Sequence, residues 1–123
     1  MNFRNKEHEN EYYSLLKRMG AADNKDVYRQ ALAYLLTLDT VCCKHIEQLY
    51  NFEDCCIDLS ALEQGWQTGT SQKTTYLAFN LFTGHTAWCS DDEVSLCSVA
   101  NIFCSEYAPY YWEAIKLRYP EHS

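Results

Sequence analysis

Residues 65–84 read Gly65-Trp66-Gln67-Thr68-Gly69-Thr70-Ser71-Gln72-Lys73-Thr74-Thr75-Tyr76-Leu77-Ala78-Phe79-Asn80-Leu81-Phe82-Thr83-Gly84. A polar turn rich in Gly, Thr and Ser leads into an apolar run that carries one Asn and stops at a Gly. Hydroxyl side chains favour helix starts and Gly favours helix ends, so the stretch predicts a helix over about 72–83 with Ser71 as N-cap and Gly84 as C-cap. Leu77, Ala78, Leu81 and Phe82 define its inner face and leave Asn80 at the edge.

The same signals recur on both sides. Tyr12, Leu15, Leu16 and Met19 form one stripe on a helix of about 7–19, which Gly20 closes. A second helix, about 26–38 and opened by Asp23 or Asn24, is apolar around much of its circumference and reads as the central element. A third starts at Asp39 or Thr40 and reaches about Leu49, with Val41, Cys42, His45, Ile46 and Leu49 inward. Ser60 and Glu63 have capping-box spacing. Ser98 caps a short piece over 99–104, and Pro109 opens a last helix that runs to about Arg118. On that helix Trp112, Ile115 and Tyr119 have core-face spacing, which leaves Tyr110, Tyr111 and Glu113 partly exposed. With Gly 4 and Pro 2 in 123 residues, turns are too scarce for a β-sandwich. The expectation is an all-α, compact single-domain bundle of about six short helices spanning residues 1–123.

Hydrophobic residues make up 47% and aromatics 15%, enough for a real core. The net charge of −7 is uneven. Residues 54–106 carry Asp54, Asp58, Glu63, Asp91, Asp92, Glu93 and Glu106 against Lys73 alone. Nucleic-acid binders present a basic stripe; none is visible, so no direct nucleic-acid contact is expected. No apolar run approaches the roughly 18–20 residues that span a bilayer, so no membrane partner is expected either. Seven cysteines behind a polar start, Met1-Asn2-Phe3-Arg4, read as reduced thiols in a cytoplasmic protein.

Taken together, Asp54 to Ile57, Trp66-Gln67-Thr68-Gly69, Leu77-Ala78-Phe79-Asn80-Leu81 and the block from Tyr107 to Glu121 give the chain a relationship. It resembles a family of short proteins from Firmicutes, their mobile elements and phages, a domain of unknown function. The resemblance implies a bacterial or phage setting and brings no activity, cofactor or catalytic residue with it.

Chemistry must therefore be read from the residues. Cys42-Cys43-Lys44-His45, Cys55-Cys56 and His85-x-x-x-Cys89 hold zinc-type ligand atoms, but the adjacent pairs lack the gap that presents two ligands to one metal. Cys97 and Cys104 read as core positions. No metal or cofactor is expected. The turn Thr68-Gly69-Thr70-Ser71-Gln72-Lys73 lacks the full phosphate-loop pattern and reads as a helix cap. No nucleophile motif or paired acid and base is present, which ranks an enzyme below a binding protein. The candidate partner-binding residues are Trp66, Gln67, Asn80, Asp91, Asp92, Glu93, Tyr110, Tyr111 and Glu113. They outline a small acidic accessory protein that binds another, basic protein. Two alternatives stay open. One is a small enzyme or metabolite-binding protein with a pocket near Trp66, Asn80 and the Cys and His residues. The other is a structural homo-oligomer, a homodimer through the same aromatics.

Overall fold

A computed structural model describes residues 1–23, 25–84 and 97–122. Among these residues there are seven α-helices: α1 (Lys6–Arg18), α2 (Val27–Leu38), α3 (Thr40–Lys44), α4 (Ile46–Leu49), α5 (Gly69–Thr83), α6 (Val99–Ile102) and α7 (Ala108–Arg118). The only strands among them, β1 (Tyr50–Asn51) and β2 (Cys56–Ile57), form an antiparallel hairpin that pairs Tyr50 with Ile57 and Asn51 with Cys56. A 3-10 turn follows at Leu59–Glu63, and another ends the chain at Pro120–His122. The protein is all-α, as its periodicity predicts.

Cap chemistry sets the helix boundaries. Asn5 Oδ1 accepts from the His8 amide at 2.8 Å and starts α1. Glu7 and Glu9 occupy the first turn and Lys17 and Arg18 the last, both favourable to the helix dipole. Gly20, at φ 74°, ends α1: its amide donates to Lys17 and that of Ala21 to Leu16, the paired bonds of a Schellman closure. Asp26, three residues beyond the expected Asp23, caps α2 through the Arg29 amide at 3.0 Å. On α5, Thr68 and Ser71 cap reciprocally, at 3.0 Å and 2.7 Å, so Ser71 is the third residue of a capping box and the helix begins at Gly69. Gly84, at φ 75°, closes it as expected.

The expected third helix breaks in two at His45. There the backbone leaves helical geometry (φ −123°, ψ 31°), and the His45 ring folds back 2.8 Å from the Val41 carbonyl. Asp39 is buried, and its Oδ1 accepts from the amides of Val41 and Cys42 at 2.8 and 3.0 Å. A buried carboxylate holding two amides is a strong cap, and it turns the chain sharply between α2 and α3.

Helix α2 is the axis of the core. Residues 30–38 are all buried, and α1, α5 and α7 pack around them. Phe3, His8, Tyr12 and Tyr34 form one aromatic cluster where α1 meets α2, with His8 and Tyr34 ring centres 4.7 Å apart. Arg118 locks the end of α7 in place. Its guanidinium lies 3.8 Å from the centre of the Tyr28 ring, and its Nε donates to the Leu81 carbonyl at 2.9 Å.

The core face of α7 differs from the sequence expectation. Tyr111 and Ala114 are fully buried, whereas Trp112 is 57% exposed and Tyr119 36%. The reason lies in the neighbours. The Tyr111 hydroxyl meets Thr74 Oγ1 at 2.6 Å inside the core, and small Ala114 lets α7 approach α2 closely. The indole of Trp112 is turned one residue, about 100°, away from that seam.

Candidate functional site

The turn before α5 is where the sequence placed most weight. Gln67 is wholly occupied there: its Nε2 donates to the Ala61 carbonyl at 3.1 Å and to Thr75 Oγ1 at 3.3 Å, while Oε1 accepts from Ser71 at 2.6 Å. Gln67 therefore ties the 3-10 turn to α5 and has no amide group left for a partner. Trp66 is half-buried and stacks on His45, centroids 4.1 Å apart and planes 4° from parallel. Its Nε1 is buried and meets no acceptor.

Asn80 does not join this turn. It is half-buried on α5, roughly 16 Å beyond Gly69 at about 1.5 Å per residue. Tyr111 is buried in the core, so its proposed place on a partner surface is corrected. Tyr110 is half-buried. Glu113 is drawn into local contacts, with Lys116 at 3.3 Å and the Asn2 amide at 3.3 Å. Asp91, Asp92 and Glu93 lie outside the described residues, as do His85 and Cys89. The expected partner residues thus divide between α5, its turn and α7.

The cysteines also separate. Cys42 is buried, donating toward the Ser71 carbonyl at 3.6 Å and beside Thr75 Oγ1 at 3.5 Å, and burial raises its thiol far above the usual range. His45 instead faces Trp66, so Cys42 and His45 do not form a thiol–imidazole couple. Cys43 is half-buried, and burial followed by the charges of Glu11 and Glu7 raises its thiol. Cys55 and Cys56 are exposed on the hairpin. Cys104 is exposed too, contrary to the expectation of a core position. Cys97 is disulfide-bonded, which corrects the expectation of reduced thiols throughout. Among the described residues no three His, Cys, Asp or Glu side chains converge as metal ligands, and no helix is long and apolar enough to cross a membrane.

Sequence reasoning passed over a concavity beside α1. A cavity of about 540 Å³ lies between α1 and α3, bordered by Arg4, Glu7, His8, Glu11, Thr37, Thr40, Cys43 and Lys44. A smaller space of about 160 Å³ continues it past Glu11, Cys43 and Lys44 toward Arg18 and Glu47. The Arg18–Glu47 ion pair, 3.1 Å, borders that far end. His8 and Thr37 are buried, whereas Glu7, Glu11, Thr40 and Lys44 are exposed. His8 Nδ1 accepts from the Arg4 amide at 3.1 Å, so Nε2 carries the proton and donates to the Tyr34 carbonyl at 2.9 Å. Burial lowers the His8 pKa. The available signal was that His8 extends the Tyr12–Leu15–Met19 stripe by one turn, with Glu7 and Glu11 a turn apart beside it.

A third hollow, about 490 Å³, borders Gly20, Asp26, Arg29 and Phe82. Its Arg29 is already engaged by Asp26 at 2.8 Å, Tyr50 at 3.1 Å and the Cys55 carbonyl at 2.7 Å.

No curated protein and no solved structure matches the chain. A family model, described as a family of unknown function (DUF6075), matches residues 1–123, and the chain belongs to that family.

Proposed function

We propose that the protein is a small acidic accessory factor that acts by binding another protein with a basic surface, in the phage or mobile-element setting that its resemblance to Firmicutes proteins implies. One observation carries the reading. Between Ile46 and Gln72 the chain has Glu47, Glu53, Asp54, Asp58 and Glu63 and no basic residue. Helix α4, the hairpin and the 3-10 turn gather these acids, since α4 packs on both β1 and the turn. Glu53, Asp54 and Glu63 are exposed, and Leu59 stands 46% exposed among them. Arg18 pairs with Glu47 at 3.1 Å and Arg29 reaches the Cys55 carbonyl. Glu53 and Glu63, in no ion pair with another described residue, leave the face predominantly negative together with Asp54 and Asp58. Such a face speeds encounter with an oppositely charged one, and an apolar residue within it supplies contact after encounter. Trp66 and Tyr110 are further anchors in this reading, with the Asp91–Glu93 segment adding to the charge.

Affinity capture from a native host, at low and high salt, tests it with the wild-type protein beside Glu53→Gln/Glu63→Gln. The expected result is a basic partner retained at low salt, with an association rate lowered severalfold by the double substitution and an unchanged melting temperature. Absence of any partner at low salt, or a partner held equally by both proteins at all salt concentrations, overturns the reading. A salt-insensitive symmetric dimer in its place supports the homo-oligomer alternative.

A further inference from the structure

The groove between α1 and α3 has an unusual charge arrangement. Arg4, Glu7, Glu11 and Lys44 line it, two cations and two anions, yet none of the four forms an ion pair with another described residue. Elsewhere on the same surface opposite charges do meet, as Lys6 meets Glu9 at 3.2 Å and Arg18 meets Glu47 at 3.1 Å. The groove charges are held apart by the fold. Arg4 is fixed from two sides: its amide is bonded to buried His8, and its guanidinium lies over the Tyr107 ring, 5.6 Å from the centroid. Its Nε is buried and meets no acceptor. Because Nε is inaccessible, a ligand in the groove meets this guanidinium through its terminal nitrogens, and a planar carboxylate is the group those nitrogens pair with best. Glu7 and Glu11 are four residues apart on one face of α1, a like-charge pair that a cation between them would relieve.

We propose that this groove binds a small zwitterion, a free amino acid or dipeptide, with its carboxylate on Arg4 and its ammonium between Glu7 and Glu11. Lys44 and the Thr40 hydroxyl, on the α3 side, supply further polar contacts at the rim. His8, Thr37 and Cys43 form the floor. Each end of the ligand meets a charge of opposite sign, which favours a molecule carrying both over a simple anion or a simple amine. The floor is inert: His8 has both nitrogens engaged, and the protonated Cys43 thiol is a poor nucleophile. Recognition rather than catalysis follows from that chemistry. The site meets the acidic face only at its far end, at Glu47, and does not depend on the partner reading.

Cys43 reports occupancy, because it lines both parts of the groove. The test follows alkylation of Cys43 by N-ethylmaleimide, peptide by peptide in a mass spectrometer. It is run with L-alanine, alanyl-alanine, N-acetylalanine, alaninamide or inorganic phosphate present at millimolar concentration. Alanine or alanyl-alanine is expected to slow Cys43 at least threefold while Cys55 and Cys56 react unchanged, and the more protective of the two identifies the ligand size. Glu11→Gln, at an exposed position that leaves the core intact, and Arg4→Gln should each raise the half-protecting concentration about tenfold. Protection by neither zwitterion, or equal protection by N-acetylalanine, alaninamide or phosphate, overturns the proposal. So does undiminished protection in Glu11→Gln.

Discussion

The imidazole of His45 lies flat against the indole of Trp66, 4.1 Å between centroids and 4° between planes, and this contact joins the break between α3 and α4 to the turn that starts α5. His45 Nδ1 sits 2.8 Å from the Val41 carbonyl, which sets the ring's orientation for the stack. Trp66 Nε1, by contrast, is buried without an acceptor. The ring's apolar and stacking surface therefore stabilises the junction, and its N–H does not.

Trp66→Phe should accordingly cost less than about 1 kcal/mol, since it removes an unpaired donor and keeps an aromatic face. Trp66→Ala should cost about 2 kcal/mol through lost burial and stacking. Urea unfolding of both variants checks this. Equal losses would mean that the indole N–H has a partner after all.

The two neighbours on α7 should behave oppositely. Tyr111→Ala empties a fully buried site and is expected to cost about 3–5 kcal/mol. Trp112→Ala, at a largely exposed position, should stay within about 0.5 kcal/mol. Tyr111→Phe loses the Thr74 bond, but Thr74 keeps its bond to the Thr70 carbonyl, so about 1 kcal/mol is expected. Thermal denaturation ranks the three, and a larger loss at Trp112 than at Tyr111 would put the other face of α7 inward.

His8 should make stability fall in mild acid. Burial lowers its folded pKa from 6.5, and the Arg4 charge adds to that. Between the lowered value and 6.5 the unfolded chain holds more protons than the folded one, so stability decreases as pH falls through 6.5 and levels off below the folded value. The slope from this one group is bounded by about 1.4 kcal/mol per pH unit. Protonation also places an N–H where Nδ1 now accepts from Arg4, loosening the N-terminal segment. Denaturant unfolding of wild type and His8→Gln from pH 7.5 to 5 is the check, and the variant should show the shallower dependence.

Thiol reactivity should follow burial and pKa. Without reductant, Cys55, Cys56 and Cys104 should alkylate first and Cys43 more slowly. Cys42 should react only on unfolding, because it is buried and its thiol strongly raised. Cys97 should label only after reduction. Timed alkylation with peptide mapping reads all of these, and prompt labelling of Cys97 in unreduced protein would show the disulfide to be absent.

Local rules were enough to read the helices from the chain. The Tyr12–Met19 stripe, the near-continuous apolar run of α2, Gly20 and Gly84 as left-handed stops, and Ser98 as a cap all act over one or two turns, where side-chain periodicity and backbone preference are intrinsic. Tertiary packing decided the rest. It chose Tyr111 over Trp112 for the core because Thr74, on another helix, offered the hydroxyl a buried partner. It broke the third helix where the His45 ring turned back on Val41 and found Trp66. It also set Arg4, Glu7 and Glu11 of the N-terminal segment opposite Lys44, which no spacing along the chain announces. Helix starts and stops depend on neighbours a few residues away, whereas a groove and its unpaired charges depend on which helices the core brings side by side.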